Sequence, residues 1–145
     1  MKTAAPAGAT PPHSNHKIQP PRAHRHAVER RALLARLFDE SAARVVVFQG
    51  PAGHGKTSLM LQARARCTAQ GALTGWLSID ESDNDVLRLL GHLQALVAVL
   101  GSQSPAPLRD DGAGASGAVT ASSDWLIGRL LELGRPVALF LDEDR

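Results

Sequence analysis

Residues 50–57 read Gly-Pro-Ala-Gly-His-Gly-Lys-Thr, the pattern G-x-x-x-x-G-K-T, and no other stretch restricts the fold of this chain as tightly. Glycines let the backbone adopt conformations that a side chain forbids and let it approach a ligand closely. The flanks complete the constraint. Residues 44–49 (Arg-Val-Val-Val-Phe-Gln) are β-branched and aromatic and read as a buried strand. Residues 58–66 read as a helix, ended by Gly71. Strand, glycine loop and helix in that order form the setting a phosphate-binding loop requires.

The spacing has a chemical reason. A triphosphate tail needs many donors at short range. The N–H groups of Gly53, His54, Gly55, Lys56 and Thr57 are placed to form a nest for phosphate oxygens. The helix that follows adds its positive N-terminal end. Lys56 supplies a cation for the β/γ-phosphates, and the Thr57 hydroxyl is placed to coordinate Mg²⁺. Gly50, Gly53, His54, Gly55, Lys56, Thr57 and Ser58 are therefore the candidate nucleotide-binding residues. Pro51 stiffens the loop entry, and the His54 side chain, at a variable position, is given no chemistry.

A second element supports the first. Residues 136–143 (Pro-Val-Ala-Leu-Phe-Leu-Asp-Glu) are an apolar run ending in two acids, the form of a Walker B strand. Asp142 would hold Mg²⁺, directly or through water, and Glu143 is the candidate catalytic residue, orienting or deprotonating the attacking water. Any surface strand can end in acids, and Asp144 leaves the choice of base open by one position.

The chain has 145 residues, enough for one domain with a sizeable core. With three Phe, two Trp and no Tyr, that core must be built from Leu, Val and Ala. Charge is unevenly spread: residues 1–31 carry six Lys/Arg and one acid, the remainder ten against thirteen. Such a basic tail touches nucleic acid or membrane non-specifically at most, and it reads first as a solvated leader. Its histidines at 13, 16, 24 and 26 lack other ligands and an ordered scaffold, so they do not read as a metal site. Cys67, the single cysteine, excludes an internal disulfide and reads as core packing. There is no 18-residue apolar span and no apolar signal segment, so the expectation is a cytoplasmic protein without membrane contact.

Along the chain, residues 1–26 are Pro/His-rich and read as a disordered basic leader, and residues 27–145 as one domain with a flexible loop at 102–118. Helical periodicity runs from Ala27 to about Glu40, with Val28, Leu33, Leu34, Leu37 and Phe38 on one face. Residues 73–79 form a second strand anchored by Trp76, and residues 80–85 an acidic turn rich in helix N-caps. A broadly apolar helix follows from Val86 and closes at Gly101. A last helix spans about 122–133, stopped by Gly134 and Pro136. The order β-α-β-α-α-β predicts an α/β fold: a P-loop NTPase parallel sheet with flanking helices.

From Lys17 to Ala98 the chain resembles the MalT-type regulators, large ATP-binding transcriptional activators of the LuxR family that belong to the signal-transduction P-loop ATPases. The resemblance is carried by residues 17–22, by the loop at 51–57, by residues 76–85 (Trp-Leu-Ser-Ile-Asp-Glu-Ser-Asp-Asn-Asp), and by residues 139–143. His54 stands where an aromatic is more usual, and Asp142-Glu143 where two Asp are commoner. The resemblance implies an ATP/ADP switch with Mg²⁺, self-assembly in the ATP state, and DNA contact through a C-terminal helix-turn-helix domain not in this chain. It also implies another strand between the loop strand and the Walker B strand. The expectation is therefore an incomplete domain, a fragment or natural truncation, that leaves unpaired backbone and exposed apolar edges. Three other readings compete. A metabolic P-loop kinase would need a substrate segment and an arginine-bearing lid. A GTPase would need Gly at 145, where Arg145 stands. A nucleotide-binding module without turnover needs neither.

Overall fold

The computed structural model describes residues 16–39, 44–102 and 119–143. Within them the element order is α1 (Arg31–Asp39), α2 (Lys56–Ala69), β1 (Leu73–Ile79), a 3-10 turn (Glu81–Asn84), α3 (Val86–Ser102), α4 (Val119–Glu132) and β2 (Val137–Glu143). The expected leader residues 1–15 and nearly all of the expected loop at 102–118 lie outside the described residues.

β1 and β2 pair in parallel, with Trp76 opposite Phe140 and Ser78 opposite Asp142. A parallel pair needs a long crossover, and α3 and α4 supply it. The two faces of this small sheet bury different sets of residues. On one, Trp76 (1% exposed) and Phe140 pack with Leu59, Met60 and Ala63 of α2 and Leu34 of α1. The two rings stack with centroids 6.1 Å apart. On the other face, Leu73, Leu100 and Leu133 pack together with Leu139. Gly75 lies under α3: a Cβ there would stand 3.0 Å from both Leu96 Cδ2 and Leu139 Cδ2. The glycine is what lets helix and strand approach.

Several boundaries follow the sequence. β1 covers the expected residues, and α2 ends as expected, two residues before Gly71, whose φ of 87° lies in the left-handed region. Others differ. α1 begins at Arg31 rather than Ala27, and Val28 is exposed; the residues before α1 are drawn off by contacts with α2 described below. α3 runs through Gly101, which is buried in its last turn. α4 starts three residues earlier than the pattern predicts, and its Ile127 and Leu131 are exposed.

The main correction concerns residues 44–49. They form no strand, and Val45, Val46 and Val47 are exposed. Phe48 alone packs against the core. An apolar run signals a demand for burial, but a strand also needs a hydrogen-bonding neighbour. Here β1 and β2 pair with each other, so the fold among the described residues is α/β with a two-stranded parallel sheet.

Lys17 is tied into this fold. Its carbonyl accepts the Ser78 N–H (2.8 Å), and its ammonium lies 2.8 Å from Asp80 and 2.7 Å from Asp83. The Asp83 carboxylate is buried and also lies 2.9 Å from His92 of α3. Asp80 caps the 3-10 turn in a capping box, as the acidic sequence 80–85 leads one to expect. No helix among the described residues is long and apolar enough to cross a membrane.

Candidate functional site

The glycine loop connects residues 44–49 to α2 and turns on two left-handed residues, Gly53 (φ 77°) and Gly55 (φ 76°). A side chain at Gly53 would meet nothing, so the requirement there is purely conformational. Gly55 is the N-cap of α2, and no side chain caps that helix. Amides in the first turn of a helix have no intrahelical partner and suit an anion. Ser58, half-buried, lies in this first turn.

Lys56 folds back over the loop. Its Nζ donates to the carbonyls of Gly50 (2.7 Å) and Pro51 (3.1 Å). Those are neutral acceptors, and an ammonium held on them is available to a stronger, anionic one. The His54 amide donates to Pro51 O, and its ring Nδ1 lies 3.2 Å from Ala52 O, so the side chain serves the turn.

Two distant parts of the chain meet at Thr57. Its hydroxyl donates to Asp142 Oδ2 at 2.9 Å, with Oδ1 at 3.3 Å, although 85 positions separate the residues. The sheet explains the meeting. Phe140 and Asp142 share a face of β2 by strand alternation, Phe140 packs on α2, and Asp142 therefore lies over the start of that helix. Alternation sends Glu143, exposed at the strand end, to the α3/α4 side with Leu139. Asp144 lies outside the described residues.

Two contributors carry no signal in the sequence. Arg30 donates through Nη2 to His54 O (2.8 Å), and Gln62 of α2 bonds both the Arg30 N–H and the Val28 carbonyl at 3.0 Å. Both side chains meet backbone groups 24 to 34 positions away, which no local period reveals. Beside the loop lies a cleft of about 440 Å³, lined at one end by Gly50, Gly55 and Lys56 and at the other by Leu33, Val47 and Phe48. Among the described residues no three or more His, Cys, Asp and Glu cluster as a metal site. Burial pushes the Cys67 thiol up from its ordinary value, in keeping with a packing role.

Part of the chain is similar to known proteins. The HTH-type transcriptional regulator MalT of Cronobacter sakazakii is 40% identical over 72 residues, half of this chain. MalT of Vibrio cholerae is 37% identical over 75 residues, 52% of the chain. The serine/threonine-protein kinase PknK of Mycobacterium tuberculosis is 33% identical over 88 residues, 61% of the chain. In each case the chain spans about 8% of the relative's length. No protein-family model matches the chain, and no solved structure matches it.

Proposed function

We propose that residues 27–145 are the nucleotide-binding part of an ATP-dependent switch in a cytoplasmic transcription regulator of the LuxR family. The observation that carries this reading is the 2.9 Å contact between Thr57 and Asp142. A helix-start hydroxyl and a strand-end carboxylate are the hard oxygen donors that suit Mg²⁺, and they meet beside a left-handed glycine loop with a lysine folded over it. Thr57 and Asp142 would hold Mg²⁺, which when bound neutralises phosphate charge. Lys56 would leave the Gly50 and Pro51 carbonyls for the β/γ-phosphates, and Gly50, Gly53, His54, Gly55 and Ser58 would complete the cradle. The similarity to MalT regulators supports the regulatory context. DNA contact through a separate helix-turn-helix domain and self-assembly in the ATP state rest on that similarity alone.

Hydrolysis would be in-line attack of water on the γ-phosphorus, with positioning and charge neutralisation carrying most of the catalysis. Glu143 is assigned to orient that water. A second reading, binding without turnover, is favoured by its place on the face of β2 away from Thr57. Titration of ATP by calorimetry, with and without Mg²⁺, combined with phosphate release, tests both. Weak ATP binding that Lys56→Ala abolishes is the expected result. Wild-type protein that binds neither ATP nor ADP would end the nucleotide reading. Phosphate release that stops in Glu143→Gln with binding intact selects the enzyme; binding with no release in the wild type selects the module.

A further inference from the structure

The segment before α1 is held to the loop and its helix from two sides. Gln62 accepts the Arg30 N–H through Oε1 and donates through Nε2 to the Val28 carbonyl, so its amide grips residues 28–30 much as a neighbouring strand would. From the other side the Arg30 guanidinium donates to His54 O at 2.8 Å. The Arg30 carbonyl in turn accepts Leu34 N–H, the first bond of α1. One residue thus joins loop, α2 and α1.

The bond to His54 O has a consequence inside the loop. A peptide unit is planar and trans, so its C=O and N–H point in opposite directions. Holding the His54 carbonyl toward Arg30 fixes the Gly55 N–H on the other side of that plane. The fit is close: a Cβ at Gly55 would stand 3.1 Å from Arg30 Nη2. Gly55 needs its left-handed φ, and the absent side chain also leaves room for the arginine.

Resting on the nucleotide reading above, we infer that Arg30 is a positioning residue for the phosphate site. It fixes the His54–Gly55 peptide in the orientation that presents the Gly55 N–H to phosphate, and it couples occupancy of the loop to the docking of residues 28–30 and α1. Coupling of this kind is reciprocal: an anion that orders the loop strengthens the Arg30 bond, and the docked segment tightens the anion.

The test is titration of ATP with Mg²⁺, and of ADP, into full-length wild-type protein and the variants Arg30→Ala, Arg30→Lys, Gln62→Leu and Arg30→Ala/Gln62→Leu. Loss of one charge-assisted hydrogen bond predicts about tenfold weaker binding for Arg30→Ala. Arg30→Lys recovers most of it, since an ammonium can reach the same carbonyl. The double variant binds as Arg30→Ala alone, because Gln62 acts through Arg30. A purely structural role gives a different pattern: a lowered unfolding midpoint with affinity unchanged, which overturns the inference while leaving the nucleotide reading standing. Strictly additive losses in the double variant overturn the coupling. Wild-type protein that binds no nucleotide removes both readings together.

Discussion

Thr57 hydroxyl and Asp142 carboxylate are each an ordinary polar group; the chemistry lies in their meeting. A hydroxyl has one proton to give and here gives it to Asp142, so under the proposed reading its lone pairs would face the Mg²⁺ ion that both oxygens would hold. Removing either oxygen should affect Mg²⁺ far more than folding. Thr57→Val forfeits a hydrogen bond worth about 1 kcal/mol of stability. Asp142→Asn should weaken the Mg²⁺-dependent part of ATP affinity on the order of a hundredfold, and leave metal-free binding through Lys56 nearly unchanged. Parallel titrations with Mg²⁺ and with EDTA read the difference. A metal dependence that survives Asp142→Asn would place the ion elsewhere. Glu143 offers the opposite contrast: from the far face of β2, Glu143→Gln should leave Mg²⁺ affinity within about twofold, a shift under 0.5 kcal/mol of the kind typical of surface changes.

Between elements, two junctions decide how the site is held. At the first, α3 lies on β1 through Gly75. Leu96 is 2% exposed and has little room to move, so Gly75→Ala should cost about 1–3 kcal/mol by overpacking, read as a lower denaturant midpoint. At the second, Lys17 ties the N-terminal segment to the 3-10 turn. Its hydrogen bond, with those from Ser82, holds the Asp80 carboxyl well below the usual carboxylate range. Burial pushes Asp83 up, yet the Lys17 hydrogen bond and its other partners outweigh this, and its pKa also lies low. Burial lowers Lys17, but the two carboxylates raise it on balance. The signs fix the pH window. Depressed carboxylates stabilise the fold above their unfolded pKa of about 3.9 and lose that contribution as pH falls through the lower folded values. Lys17 contributes below its unfolded pKa of about 10.4 and stops contributing as pH rises through the folded value. Lys17→Met should therefore flatten the acid limb of the stability curve below about pH 4, measured by denaturant midpoints. An unchanged acid limb would show that the ion pairs contribute nothing. These junctions also show what a sequence can reveal. The limits of β1 and the helix after the loop were legible because a Gly turn and a period announce them. Asp142 was legible because an apolar run ends in it. The Arg30 and Gln62 contacts were not, since each joins a side chain to distant backbone. Val28 sits at helical spacing from α1 yet stays outside it, because Gln62 takes its carbonyl.

Across the whole molecule, the loop that would hold phosphate is entered from residues that no sheet contains. Two parallel strands make a small sheet, below the size that is stable without helices packed on it, and here both faces are covered by α1 and α2 on one side and α3 and α4 on the other. Residues 45–47 contribute exposed valines instead of a third strand: Val45 is 80% and Val47 74% exposed. The loop is therefore fixed by α2, Arg30, the Lys56 bonds to Gly50 and Pro51 and the Thr57–Asp142 contact, while Phe48 packs the residues leading into it against the core. This uneven support predicts uneven opening, because exchange protection follows buried contacts and paired amides. Amides of β1 and the middle of α2 should exchange only on global unfolding. Those of residues 45–47 should exchange within seconds, and added ATP with Mg²⁺ should slow Gly53 to Thr57 by the factor its occupancy gives, about a hundredfold at a hundred times Kd. Hydrogen exchange read by mass spectrometry resolves all three segments in one experiment. Slow exchange at Val45–Val47 without ligand would mean that this run is paired, and that the sheet holds a strand beyond β1 and β2.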